Sequence, residues 1–113
     1  MMHKMSLDRN PFNYIKQGTK TIELRLYDEK RQLLKEKDMI EFTNRETLEK
    51  LMAEVEGLHK YSSFDELYKY FDKIAMGYDE NDIANPKDME KYYSKEEQKK
   101  YGVVAIKIKV IKN

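Results

Sequence analysis

Four side chains close together in the chain could do chemistry as a group: Lys20, Thr21, Glu23 and Arg25. Lys20 offers an ammonium for a phosphate, or a base if burial lowers its pKa. Thr21 adds a hydroxyl. Glu23, acceptor-only when ionised, suits an amino group such as the exocyclic amine of cytosine. Arg25 presents a planar fork for a carboxylate, a phosphate or a base edge. Together they describe a site for a small polar ligand that carries both donors and acceptors. The plainer alternative is a solvated strand face. There Glu23 and Arg25 form a surface ion pair worth at most about 1 kcal/mol, and for an isolated strand the residues alone favour that reading.

Aromatic and basic residues extend the candidate surface. Tyr92, Tyr93 and Tyr101 lie around residues 94–97, and Tyr61, Tyr68, Tyr70 and Tyr78 around residues 63–77. Each could stack on a base for about 1–3 kcal/mol, although tyrosine in a small domain more often packs its ring at the core edge. Tyr93 is the candidate for stacking. Lys99, Lys100, Lys107, Lys109 and Lys112 give a basic C-terminal face, which in most proteins is simply solvated.

Composition narrows the function classes. The chain has 113 residues, 38% of them charged, yet its net charge is +1. That suits one domain over residues 1–113 and argues against a protein that coats nucleic acid through a general field. With no Cys and only His3 and His59, far apart, thiol chemistry is excluded and neither a metal nor a cofactor is called for. The absence of a signal-like or membrane-length apolar run makes a cytoplasmic protein the expectation.

The elements that must position these side chains follow from periodicity. Residues 3–7 suggest a strand. Asn10-Pro11 suggests a helix start, with Asn10 as cap, Phe12 and Ile15 on one side and Gly18 as the left-handed stop. Residues 21–28 alternate, with Ile22, Leu24 and Leu26 on one face and Thr21, Glu23 and Arg25 on the other. Leu33 and Leu34 anchor a charged connection, and residues 39–43 form another strand. Residues 47–58 have helical propensity but also alternate, and Gly57 breaks the run, so a strand over roughly 50–60 is expected. Ser63 and Glu66 form a capping box that opens a helix burying Phe64, Leu67, Phe71 and Ile74, ended by Gly77. Asn85-Pro86 starts a short helix, and Ser94 with Glu97 as capping carboxylate starts another that stops at Gly102. Residues 103–111 are the clearest strand, with Val104, Ile106, Ile108 and Val110 facing one way. About five strands and three or four short helices predict an α+β fold: a small mixed or antiparallel sheet curled into a barrel, with the helices on one side.

The stretch Gly18-Thr19-Lys20-Thr21-Ile22-Glu23-Leu24-Arg25-Leu26 resembles the signature of the ASCH family, the ASC-1 homology domains. Residues 30–42, Ser63-Phe64-Asp65-Glu66-Leu67, and Tyr93-Ser94-Lys95-Glu96-Glu97 through Ile106 resemble three further blocks of its small prokaryotic members, in order along nearly the whole chain. Lys37 departs from the family, which usually has Gly before Asp38. The resemblance implies a PUA-like β-barrel with a cleft beside the Lys-Thr strand that binds RNA or a nucleotide-like ligand. Lys20, Thr21, Glu23, Arg25 and Tyr93 would be the binding residues. One branch of the family hydrolyses acetylcytidine with a Lys, a Thr and a Glu. Its Lys matches Lys20, its Thr falls on Glu23 here, and no residue is matched to its Glu. An amidohydrolase is therefore the alternative to binding, with Lys20 as base and Glu23 activating water as the residues that would carry it, and a protein-interaction module with an incidental polar face is the second alternative.

Overall fold

The structure is a computed structural model and describes residues 1–111; Lys112 of the basic C-terminal face lies outside the described residues. Strands β1 (Met2–Leu7), β2 (Ile22–Leu26), β3 (Met39–Asn44), β4 (Lys50–Tyr61) and β5 (Val103–Val110) form one sheet in the order β1-β3-β4-β5-β2. β1 and β3 run parallel and the remaining neighbours antiparallel, giving a mixed, curled half-barrel. The strand expected over 50–60 is β4, and Gly57 sits where its register against β5 shifts, at a bulge between Val55 and Gly57.

Helix α1 (Arg9–Gln17) is capped by Asp8 rather than Asn10. Pro11 falls in the first turn, where no intrahelical N–H is needed. The Asp8 carboxylate makes no cap bond because Arg45 holds it at 2.8 Å. Gly18, at φ 89°, stops the helix in the left-handed region and turns the chain into β2. Lys37 is also left-handed, at φ 74°, in the turn before β3. Its N–H donates to Val55 O at 2.7 Å.

Helix α2 (Phe64–Leu67) is far shorter than its apolar spacing predicts. Ser63 accepts from the Glu66 N–H, but the Glu66 carboxylate turns to Lys69 and Tyr70 instead of closing the capping box. Further on, the Asp72 side chain accepts from the N–H groups of Ile74 and Ala75, which diverts the backbone from a helical ladder. Phe71 and Ile74 are left half-buried while Met76 is buried. Pro86–Lys91 forms a 3-10 helix with Asn85 as cap. Helix α3 (Lys95–Tyr101) carries the full capping box, with Glu97 as its returning carboxylate. Only Leu34 of the two expected anchors is buried; Leu33 is exposed.

Two apolar clusters explain why the helices divide between both sides of the sheet instead of lying on one. Met5, Ile40, Phe42, Val55, Val104, Ile106 and Ile108 fill the concave side, closed by Phe12 and Ile15 of α1. Ile22, Leu24, Leu26, Val103 and Ala105 pack outward against Phe64, Leu67 and Met76. β5 is thus buried on both faces over its first half, a consequence of its place between β4 and β2.

Candidate ligand-binding site

β2 has no solvated face. Its apolar residues belong to the outer cluster, so Glu23 and Arg25 point to the concave side, opposite Ile106 and Val104 of β5 in the register. Both are buried, at 4% and 8% exposure, and Lys20 at 5% joins them. The surface ion pair considered from sequence is therefore a buried network, and its hydrogen bonds are nearly saturated.

Lys20 is brought in by the Gly18 turn and held by its own three donors. Nζ donates to Ile22 O at 3.0 Å and Met76 O at 2.9 Å, and lies 3.2 Å from Glu23 Oε1. Gly77 makes room for it: at φ 107° it lies where a Cβ would come within 3.0 Å of Lys20 Cδ. Glu23 Oε1 also accepts from the Leu24 N–H at 3.1 Å, and Oε2 accepts from Arg25 Nε at 2.8 Å and lies 2.8 Å from Nη2. Arg25 Nη2 donates further to Ser6 O at 3.0 Å, bridging from β2 to β1 across the open side of the half-barrel. The Tyr93 side chain is a further partner of the guanidinium.

Burial is the largest influence on all three groups, and the outcome differs. It pushes the Lys20 amine down from its ordinary value, with Glu23 opposing. For Glu23, burial is outweighed by the Arg25 and Lys20 charges, and the carboxyl titrates below its usual range. For Arg25, Glu23 and the neighbouring Tyr93 overcome burial and hold the guanidinium above its usual range. The three formal charges, two positive and one negative, leave a net positive floor.

That floor lies in a cavity of about 300 Å³ that also takes in Tyr68, Tyr78, Asp88, Tyr92 and Tyr93. Tyr93 stacks on Phe64 with ring centroids 6.0 Å apart, and Gln98, itself buried, donates to the Tyr93 carbonyl. The ring selected from sequence thus reaches the cavity with one face already packed, whereas Tyr92 beside it is exposed and lies under Lys91 Nζ. Thr21 is not among the lining residues. Its backbone is committed to Ala75 O and to the N–H of Ile108. Lys99, Lys100, Lys107 and Lys109 also lie outside the lining.

Sequence reasoning missed Asp88 as a site residue and named Tyr68 and Tyr78 only as two aromatics among many. The Tyr68 and Tyr78 hydroxyls are 2.9 Å apart, and Tyr78 donates to Asp88 Oδ2 at 2.7 Å. A more open continuation of the cavity shares Asp8, Pro11, Arg45, Lys91 and Tyr92 with it and adds Arg9, Asn10 and Glu46. No group of three or more His, Asp or Glu side chains among the described residues is placed to hold a metal ion. No described helix is long and apolar enough to cross a membrane.

The model of the ASCH domain matches residues 5–112. This chain belongs to the ASCH family. Among solved structures it is similar to the hypothetical protein PH0355, with 36% identity over 98% of this chain and 100% of that one and a TM-score of 0.83. Protein PF0455 from Pyrococcus furiosus is 32% identical, with full coverage of both chains and a TM-score of 0.72. ASCH from Zymomonas mobilis, 15% identical, shares the fold at a TM-score of 0.69, over 96% of this chain and 66% of that one. No curated protein matches. The five-stranded mixed half-barrel with its short helices is the PUA-like architecture of this ASCH chain.

Proposed function

We propose that this ASCH protein binds a nucleotide-like ligand, presented free or within RNA, in the cavity over Lys20, Glu23 and Arg25. One observation carries the reading: a buried, hydrogen-bonded, net-positive triad forms the floor of a concavity of about 300 Å³ walled by tyrosines. That volume is at the small end of ligand sites and suits one base with its sugar. The Arg25 guanidinium lines this cavity and offers its charge to an acceptor on the ligand. Around the continuation, Arg45 and Arg9 pair with Asp8 and Glu46 at the exposed rim, where both pairs can open to a phosphate, and Lys91 adds a third cation. Convergence of the three charged groups in a concavity is an arrangement that a protein-interaction module with an incidental polar face has no need of. Nucleosides, 5′-mononucleotides and short single-stranded RNAs titrated to millimolar concentration are expected to shift the backbone amides of residues 20–25. Unmoved amides in that segment would sink the proposal.

Amide hydrolysis of an acetylated base is the second reading. It is favoured by the lowered Lys20 amine beside the Glu23 carboxylate. Against it, all three Lys20 protons face acceptors, so the resting group has no lone pair for a proton or a carbonyl. Binding without turnover is therefore expected, and acetate release from acetylcytidine that Lys20→Ala abolishes would reverse the ranking.

A further inference from the structure

The chain of hydroxyls on the cavity wall has a fixed direction. Tyr78 has one proton and two acceptor-only neighbours on the loop side: Asp88 Oδ2 at 2.7 Å and the Asn85 carbonyl at 3.3 Å. Its proton goes to one of these, since a phenol oxygen turned lone pair first toward a carboxylate at 2.7 Å would be repelled. The Tyr68 hydroxyl, 2.9 Å from Tyr78, is then the donor of that bond. Having given its only proton to Tyr78, Tyr68 can accept from a ligand and cannot donate to one.

The rings of Tyr68 and Tyr78 stand nearly perpendicular, at 76°, on the same cavity wall as Tyr92 and Tyr93. A flat base seated among these rings leaves its sugar and phosphate toward the basic continuation at Arg9, Arg45 and Lys91. We infer that the Tyr68 oxygen is a specificity-determining acceptor that selects bases carrying an exocyclic amino group, its polarity set by Tyr78 and Asp88. The inference rests on the nucleotide-site reading and adds which functional group the site rewards. The Arg25 guanidinium, which lines the same cavity, is the cation available to a ring nitrogen or carbonyl of the base.

Two matched pairs isolate that amine: cytidine against pyrimidin-2-one riboside, and adenosine against purine riboside. Affinities measured by calorimetry are expected to favour the amine-bearing member of at least one pair by about tenfold, the scale of one net hydrogen bond. In Tyr68→Phe that ratio is expected to fall below about twofold. In Tyr78→Phe, which frees the Tyr68 proton to point either way, it is expected to fall as well, with thermal melting used to check that both variants fold. Equal affinities within both pairs of the unaltered protein would overturn the amine selection while leaving the nucleotide site intact. An undiminished ratio in folded Tyr68→Phe would also overturn it. Failure of all four nucleosides to bind would remove the site reading and this inference together.

Discussion

Two arginine–carboxylate pairs border the same cavity with the same separation. Arg25 lies 2.8 Å from Glu23, and Arg45 lies 2.8 Å from Asp8. The side chains of the first are 10% and 5% exposed, those of the second 53% and 54%. Distance therefore says nothing about their relative worth; burial does. The exposed pair is screened by water and salt and can open to re-pair with an incoming anion. The inner pair has exchanged its water for Lys20, the Leu24 N–H and the Ser6 carbonyl, so removing any one member strands the others. The inner network is scaffold and the outer pair is adjustable rim.

The strongest way to break this contrast is at Glu23. Glu23→Gln leaves Lys20 and Arg25 as two buried like charges. It is expected to cost about 3–5 kcal/mol in urea unfolding; a loss under 1 kcal/mol would make the inner pair equivalent to the outer one. The pH dependence has a definite sign. Because the folded carboxyl titrates below its unfolded value, its contribution is complete above the ordinary carboxylate range near about 4.3 and is lost as pH falls through the lower folded value. Unfolding midpoints measured from pH 7 to pH 3 are expected to fall less steeply for Glu23→Gln than for the unaltered protein.

Next in size is a change that touches no charge. Gly77→Ala forces an unfavourable φ and brings a methyl within 3.0 Å of Lys20 Cδ and 3.3 Å of Nζ. A loss of about 1–3 kcal/mol is expected, together with shifted amides at Lys20 and Glu23. The smallest effect belongs to the rim: Arg45→Ala is expected to change stability by no more than about 1 kcal/mol and to lose even that in high salt. If it weakens mononucleotide binding while Glu23 and Lys20 amides stay in place, the division into scaffold and rim is sharpened.

The sequence makes the alternation of β2 legible but not its burial. Period-2 patterning separates Glu23 and Arg25 from Ile22, Leu24 and Leu26 whatever lies beyond each face. Which face is wet depends on strand order, and β2 lies at an edge of a curled sheet with helical segments on its outer side. β4 and α3 were readable because Gly57 and the Ser94–Glu97 box act locally. The segment after Leu67 was not. There the apolar spacing of Phe71 and Ile74 loses to the Asp72 side chain, and the carbonyls of Ala75 and Met76 serve β2 and Lys20 instead of a helix. Tyr68, Tyr78 and Asp88 share no short-range pattern at all; tertiary folding alone brings them together.

The reach of Arg25 to Ser6 has a consequence for how copies of the protein meet one another. The half-barrel leaves β1 and β2 as its two edge strands, and a free edge is a template for pairing with another chain. Ser6 O faces away from β3, because the adjacent Leu7 O is the one that accepts from Arg45 on that side. By capping this carbonyl at 3.0 Å with a charged group, Arg25 removes a rung that an incoming strand would need and makes its approach a desolvation cost. The guanidinium at the cavity floor is therefore also a guard against edge-to-edge aggregation.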